Sequence, residues 1–445
     1  MSARPPIPPG PYLIVGLARS GVAAASVLHA RGEEVIGVDA GTPPGAHALV
    51  AQGVELHLHD DGLARLERAA AVVKSPGVPA QAPVIAAARA RGLPVFGELE
   101  LAWRLLPNDF IAVTATNGKT TTVELIGHIH RVAGLPVAVA GNVGTALSSL
   151  VGELDEQATI VCETSSFQLE DTLAFDPEAA VLLNITPDHL DRHGTLEAYR
   201  EAKLRIFAHQ EAGDVAVLPA ALAGIELAPG VRRVCFDVDA DPRPDIAGLR
   251  LRGEHNRQNA MAAAAVCLAR GIDPDAVREG LRTFPGVPHR LREVGSRNGV
   301  LYVNDSKATN VASTLVALQA FPEGGVHLIL GGQGKSQDFA PLREPVAANC
   351  RAVYLIGEDA SLIAAALEWV AAREGEVVPE GATAPDGTAV PLHECGDLER
   401  AVAAASAAAS TGETVLLSPA CASFDQFADF EARGERFLKL VGEIV

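Results

Sequence analysis

This sequence predicts an α/β fold with mostly parallel sheets, divided into about three domains. Three observations carry that reading. Short apolar runs alternate with amphipathic stretches nearly throughout. Two of those runs end in glycine-bearing turns of the kind that present backbone amides to phosphate. The length of 445 residues accommodates roughly three domains of ~150 residues.

In chain order, YLIVG (12–16), EEVIGVD (33–39), AAVVKSPG (70–77), FIAVTAT (110–116), TIVCE (159–163), AVLLNIT (180–186), VHLILGG (326–332), VYLIGE (353–358) and TVLLSPA (414–420) read as buried strands, with helical segments between most of them. Ligands of such βαβ sheets bind at the carboxyl ends of strands. One boundary is expected near 97–109, within FGELELAWRLLPND, and another near 284–290, at the Pro/Gly-rich FPGVPHR. Residues 219–252 read as irregular, AVAAASAAAS (401–410) as an Ala-rich helix, and no internal repeat is present.

Composition excludes several classes. The chain is 48% hydrophobic and 20% charged, as folded globular chains are, and at 4% aromatics its cores rest on Ala, Val and Leu. A formal net charge of −19 argues against nucleic acid as a partner, since phosphate neutralisation needs Lys and Arg. Cysteines 162, 235, 267, 350, 395 and 421 include no C-x-x-C pair, which favours free thiols in a reducing cytosol. MSARPPIPPGPY lacks the apolar segment of a signal peptide, and no uncharged apolar run of ~20 residues suggests a membrane span.

The first strand runs into VGLARSGVAAASVLHARG (15–32), a G-x-A-x-x-G variant of the dinucleotide fingerprint. Gly16 permits a tight turn and Gly21 close helix–strand packing. Asp39 ends the second strand, where an acidic residue often holds a ribose hydroxyl, and Ser75–Pro76–Gly77 ends the next. The turn is equally compatible with a nucleotide site or with tight βα packing alone, and for this domain in isolation a nicotinamide cofactor is the default ligand.

The second loop is VTATNGKTTT (113–122). Gly-Lys-Thr between a strand and a helix suggests a phosphate loop, yet G-x-x-x-x-G-K-[ST] requires Gly at 113, where Val stands. Residues 116–122 offer successive amides at a helix start, Lys119 a charge for outer phosphates, and Thr120 or Thr121 a hydroxyl for Mg²⁺. Val123, Ile126, Ile129, Val132 and Ala133 form an apolar stripe, and Gly134 stops the helix. The bland alternative is a Thr-rich capped turn.

Glu163 ends the next strand, placed to bind Mg²⁺. Asp188, His189, Asp191 and His193 follow another; His193 reads as a packing or solvated histidine, and His189 as ligand or structural in equal measure. His128 and His130 point to different helix faces and are not expected to share a metal. Lys203 lies on the apolar line of Leu196, Tyr199, Ile206 and Phe207. Most such lysines snorkel to water; a buried one needs an anionic partner or a lowered pKa, and as a neutral amine it reacts with CO₂ to give a carbamate. Asn256 and Asn259 share a helix face, YVNDSKATN (302–310) presents Asp305, Lys307 and Thr309, and GGQGKSQDF (331–339) presents Lys335.

TATNGKTTT, GNVG (141–144), ETSSFQLE (163–170), NITPDHLDRHG (184–194), YREAKLRIF (199–207), EHNRQNAMAA (254–263), GVPHR (286–290), NDSKATN (304–310), GGQGKSQDF and LLSPACASFDQFADFEARGERF (416–437) together resemble the Mur ligases of peptidoglycan synthesis. The matches run in order from about residue 12 to 438, and NDSKATN and SPACASFDQF point to the D-glutamate-adding member. The resemblance implies a Rossmann-like UDP-binding domain (1–97), a central P-loop ATPase-like domain on a parallel or mixed sheet (98–286), and a Rossmann-like C-terminal domain (287–445) that binds the incoming amino acid and part of ATP. It implies a monomeric cytoplasmic enzyme that joins D-glutamate to UDP-N-acetylmuramoyl-L-alanine through an acyl phosphate, using ATP and two Mg²⁺ ions.

The resemblance assigns Leu17, Ala18, Arg19, Asp39, Ser75, Pro76 and Gly77 to the uridine end of the substrate, and Asn142, Ser165, Gln168 and His189 to its muramoyl-alanyl end. It gives ATP to Thr116, Asn117, Gly118, Lys119, Thr120, Thr121, Asn259, Arg290 and Asp305. Thr120 and Glu163 would hold one Mg²⁺, and His189 with carbamylated Lys203 the second; Lys119, Glu163, His189 and Lys203 form the implied catalytic set. Thr309, Lys335, Ser423 and Phe430 would position D-glutamate. Ala115 stands where the family usually has Gly, Gln333 where an acidic residue is common, and Phe424 where Leu is usual. Competing readings are a sister ligase for another amino acid, a folylpolyglutamate synthase (which lacks the UDP domain), an NAD-dependent dehydrogenase, or an inactive sugar-nucleotide-binding protein.

Overall fold

The computed structural model describes residues 4–237, 253–321, 324–334, 337–367 and 390–444. They form two compact units, one reaching through residue 237 and including 255–284, the other built on 285–444. The first unit contains two separate sheets and the second contains one.

The N-terminal sheet consists of β1 (Tyr12–Val15), β2 (Val35–Asp39), β3 (Glu55–Leu58), β4 (Ala71–Lys74) and β5 (Val95–Gly97), all parallel, in the order β3-β2-β1-β4-β5. Chain direction across the sheet reverses between β1 and β4, the crevice where doubly wound folds bind ligands. Val15 lies opposite Lys74, so the turns after both strands open side by side. Helices α1 (Arg19–Ala30), α2 (Ala46–Gln52) and α3 (Pro83–Ala90) connect these strands. Gly21 is obligatory for α1, because a Cβ there would lie 1.9 Å from the Gly16 carbonyl oxygen.

Helix α4 (Glu98–Leu105) leads into the second sheet. Its strands are β6 (Phe110–Thr114), β7 (Val137–Gly141), β8 (Thr159–Glu163), β9 (Ala179–Leu182), β10 (Val215–Pro219) and β11 (Arg232–Phe236), parallel in the order β11-β10-β9-β6-β8-β7. Buried on both faces, β6, β8 and β9 read as continuous apolar runs. Helices α5 (Lys119–Val132), α6 (Ser166–Glu170), α7 (Leu190–His193), α8 (Leu196–Leu204), α9 (Glu254–Ala269) and α10 (Pro274–Thr283) complete this part. The expected α5 stripe holds at Val123, Ile126 and Ile129, but Val132, in the last turn, is exposed. Gly134, with φ +71°, follows the helix end.

The second unit carries β12 (Arg292–Arg297), β13 (Val300–Asn304), β14 (Val326–Gly331), β15 (Cys350–Ile356), β16 (Leu392–Gly396) and β17 (Thr414–Leu417), in the order β12-β13-β17-β14-β15-β16. The β12–β13 pair is antiparallel and the rest are parallel, so the sheet is mixed. Its helices are α11 (Val311–Gln319), α12 (Arg343–Asn349), α13 (Ala360–Leu367), α14 (Leu398–Ala408) and α15 (Phe430–Gly442). The Ala-rich run falls on α14, which buries Ala401, Val402 and Ala405.

The expectation of an irregular 219–252 is corrected at β11, whose strand pairs in parallel with β10; residues 238–252 lie outside the described ones. Its opening Arg232 and Arg233 mask it from hydropathy, since only Phe236 of the strand is buried. Edge strands β3 and β16 escape notice for the same reason: neither contains a buried residue.

Candidate active site

At the N-terminal crevice, Gly16 takes φ +87° and ends β1 in a tight turn. The Leu17 amide donates to Asp39 Oδ2 at 2.7 Å and the Gly41 amide to Asp39 Oδ1 at 2.8 Å, so both carboxylate oxygens brace the turn. Ala18 caps α1 without a side-chain hydrogen bond. Arg19 reaches across to the central part, donating to the Asn142 carbonyl at 2.6 Å. Ser75, Pro76 and Gly77 follow β4 and face the same crevice.

In the central sheet, β6 lies between β8 and β9, so the loop after β6 is flanked by the ends of both. Val113 stands opposite Glu163 and Thr114 opposite Leu182. The loop is tied down by its neighbour: the Thr116 amide donates to the Asn184 carbonyl at 3.1 Å and the Asn117 amide to Asn184 Oδ1 at 2.9 Å. Gly118 takes φ +91° immediately before α5, and a Cβ there would lie 2.2 Å from Asn259 Oδ1. Asn259 is buried on α9 and its Nδ2 donates to Asn256 Oδ1 at 3.3 Å, so the expected shared face of the two asparagines exists. The first amides of a helix such as α5 lack acceptors within the helix, so the 119–121 segment has the donors and the dipole that suit an anion.

Ala115 is not among the described non-glycine residues with positive φ, so the loop keeps its path without glycine there. The Ala115 carbonyl accepts from Lys119 Nζ at 2.8 Å and from Lys203 Nζ at 2.7 Å. Lys203 does not snorkel: it is 1% exposed, and burial, reinforced by the charge of Lys119, pushes its amine down to about 7. Thr120 Oγ1 donates to Glu163 Oε2 at 2.8 Å, while Asn142 Nδ2 donates to Glu163 Oε1 at 3.0 Å. Gly141, with φ +119°, permits that approach, since a Cβ there would lie 2.3 Å from the Glu163 carbonyl oxygen.

Ser165 and Gln168 form a capping box at the start of α6 and satisfy each other. His189, with φ +52°, keeps its side chain half exposed beside Phe167, ring centroids 5.0 Å apart. His193 is a packing residue, stacked on Phe167 and bonded to Ser166 Oγ and Glu170. His128 meets Thr283 and His130 the Ile126 carbonyl, separately. Among the described residues, no three His, Cys, Asp or Glu side chains gather into a metal-holding group. The Thr120–Glu163 pair still suits Mg²⁺, which keeps waters and phosphate oxygens and takes only one or two carboxylates. Lys203 as an amine donates its protons to a carbonyl and offers a second cation nothing; as a carbamate it would offer two oxygens.

In the second unit, β17 lies between β13 and β14, with Asn304 and Ile329 both opposite Leu417. Asp305 follows β13, almost fully buried, and burial pushes its carboxyl up to about 7 against the opposing effects of the Ser418 hydroxyl and the Arg290 charge. Thr309 is partly exposed on the same loop. Ser423 is buried and its Oγ has no hydrogen-bond partner within the described protein, as a group reserved for a ligand would. Phe430 opens α15, half-buried, its ring 6.4 Å from that of His289. Lys335 lies outside the described residues. Gln333 pairs its backbone with Ala422, and Phe424 is exposed.

Comparison with known proteins gives this arrangement its relatives. The chain matches the MurD-like N-terminal domain of Mur ligases over residues 11–97, the Mur ligase middle domain over 113–227 and the Mur ligase glutamate ligase domain over 289–421. It is 40% identical to the UDP-N-acetylmuramoylalanine–D-glutamate ligase of Acidobacterium capsulatum, covering 96% of this chain and 95% of that one. The chain belongs to the Mur ligase family. A ligase of the same name from Anaeromyxobacter dehalogenans is 42% identical, with 97% of each chain covered. A MurF ligase from Thermotoga maritima, solved in complex with ADP, shares the fold at a TM-score of 0.56 and 17% identity, over 88% of this chain and 90% of that one.

The Mur ligase fold thus gathers Lys119, Thr120, Glu163, Asn142, Asn259 and Lys203 around one phosphate loop within the first unit. Arg290, Asp305, Thr309, Ser423 and Phe430 belong to the second. Sequence reasoning missed Asn184, which laces the loop, and Arg433, a buried guanidinium that donates to the Ser306 and Cys421 carbonyls at 2.9 and 3.0 Å. Neither lies in a pattern that spacing alone distinguishes from an ordinary polar turn or a solvated helix face. Among the described residues no helix is long and apolar enough to cross a membrane.

Proposed function

We propose that this chain joins D-glutamate to UDP-N-acetylmuramoyl-L-alanine at the expense of ATP, in the cytoplasmic synthesis of peptidoglycan precursors. The observation that carries the reading is the near full-length match, at about 40% identity, to relatives of that name. The geometry supports it: a phosphate loop, a hydroxyl–carboxylate pair and a buried lysine converge at the carboxyl ends of β6 and β8. The three-domain division at 97/98 and 286/287 goes with it, for uridine nucleotide, ATP, and amino acid with part of ATP.

A bare carboxylate is a poor acylating agent, so the L-alanyl carboxylate first takes the γ-phosphoryl group of ATP. The amine of D-glutamate then attacks the acyl phosphate, and phosphate leaves. The 116–121 amides and Lys119 bind the phosphates and offset the charge that builds on their oxygens. Thr120 and Glu163 would hold one Mg²⁺, and His189 with carbamylated Lys203 a second; these ions would supply charge neutralisation at the transferred group. Leu17 to Arg19, Asp39 and Ser75 to Gly77 take the uridine end, and Asn142, Ser165, Gln168 and His189 the muramoyl end. Asn259, Arg290 and Asp305 complete the ATP site, while Thr309, Lys335, Ser423 and Phe430 receive D-glutamate.

The test is phosphate release from ATP with UDP-N-acetylmuramoyl-L-alanine, comparing D-glutamate with L-glutamate, L-alanine and no amino acid. Release that requires both the nucleotide substrate and D-glutamate is the expected result. Release with another amino acid, or with none, defeats the reading.

A further inference from the structure

The turn that follows β4 is held by two cations from different parts of the first unit. Lys74, the last residue of β4, donates through Nζ to the Val78 carbonyl at 2.9 Å and pairs with Asp171 Oδ2 at 2.5 Å. That ion pair is sealed from water, its side chains 0% and 1% exposed. Arg192, on α7, donates through Nη2 to the Pro76 carbonyl at 2.7 Å and to the same Val78 carbonyl at 2.9 Å. Its guanidinium lies over the Phe167 ring at 4.1 Å. Asp171 is the C-terminal cap of α6 and Phe167 lies within it, so both cations are anchored on one short helix. A further link ties the Gly97 amide to the Asp171 carbonyl at 2.8 Å.

A buried ion pair adds little stability over an apolar pair of the same volume, and its better-supported use is to fix registry. Here the registry is between the Ser75–Gly77 turn and the segment that carries Glu163, Ser165 and Gln168 at one end and His189, three residues before Arg192, at the other. We propose that Lys74 and Arg192 are positioning residues, a two-cation clamp that fixes the separation between the nucleotide end of the acceptor and its reacting carboxylate. This rests on the proposed assignment of the 75–77 turn to the uridine end. The acceptor is long, and its carboxylate must come within ~3–3.5 Å of the γ-phosphorus to react. A clamp on the far end therefore acts on rate as well as binding.

The experiment compares kcat/KM of the full-length chain for UDP-N-acetylmuramoyl-L-alanine and for the same acceptor lacking the uridylyl group, N-acetylmuramoyl-L-alanine 1-phosphate. An acceptor that is not turned over is read by its inhibition constant. The variants are Arg192→Lys, which keeps the charge but loses the planar guanidinium that lies over Phe167, Arg192→Ala, and the volume-preserving pair Lys74→Met with Asp171→Leu. The clamp predicts a loss of about tenfold to 100-fold for the full acceptor, with the truncated acceptor and the KM for ATP unchanged. Parallel losses for both acceptors, or no loss for either, overturn it. Should the Lys74/Asp171 pair fail to fold, Arg192→Lys decides, since that side chain is only partly buried. A wild-type chain that ligates D-glutamate while its variants keep their discrimination refutes the clamp alone. A wild-type chain that ligates nothing refutes the functional reading and the clamp with it.

Discussion

Lys203 shows how one side chain changes meaning with burial. On the surface a lysine at this position would be a snorkelling cation; sealed beside Lys119, its amine falls to about 7 and is substantially neutral near that pH. A neutral amine reacts with CO₂, and the proposed carbamate would bring negative charge to a place where two lysines donate to one carbonyl. Lys203→Ala is expected to lower turnover by about 10² or more, with part of it restored by formate or acetate; full activity, or loss without rescue, argues against the carbamate. Asp305 makes a second prediction. Its carboxyl is raised from 3.8 to about 7, so between those values the folded chain holds a proton that the unfolded chain has released. Its contribution is therefore complete below 3.8 and is lost as pH rises towards 7. Relative to Asp305→Asn, wild type should lose stability across that window and stay level above it, measured by denaturant midpoints. Parallel curves for the two proteins would contradict the raised carboxyl.

Among the secondary-structure elements, the phosphate loop depends on what packs behind it. Gly118 needs both its φ of +91° and its missing Cβ, because α9 brings Asn259 against it and Asn259 is itself held by Asn256. Gly118→Ala should cost on the order of 1–2 kcal/mol from backbone conformation alone, before the clash with Asn259 is counted. The readout is a raised KM for ATP together with a lowered denaturant midpoint, and an unchanged KM would show that the loop's path does not depend on that contact. Helix α8 obtains its place similarly: Thr195 caps it by accepting from the Ala198 amide at 3.1 Å, and Tyr199 and Lys203 turn inward one helical turn apart. A Thr195→Ala change removes about 1 kcal/mol of capping and with it some of the order that keeps Lys203 buried.

Two compact units with separate cores give the full chain its thermal behaviour. Heat unfolding followed by calorimetry should show more than one transition, since each unit buries its own apolar cluster. ATP with Mg²⁺ should raise the transition of the unit that carries Lys119 and Thr120, by about 2.7 kcal/mol of stabilisation at a ligand concentration of 100 Kd. A single sharp transition would mean that the units unfold as one body, and an ATP-insensitive first transition would remove the phosphate loop from its proposed role.

The alternation of apolar runs and helical stripes was enough to establish an α/β chain with parallel sheets, because strands buried on both faces leave uninterrupted apolar stretches such as TIVCE and AVLL. TNGKTT and the lysine on an apolar line were legible too, since phosphate loops and misplaced charges break local pattern. Edge strands with water-facing side chains were not, as at β3, β11 and β16. Nor were the pairings that decide the site. That Asn184 would lace the loop, that Lys74 would meet Asp171 across 97 positions of sequence, and that Lys203 would reach the Ala115 carbonyl depend on strand order. Strand order comes from burying all sheet faces together, a global condition that the periodicity of any one segment does not contain.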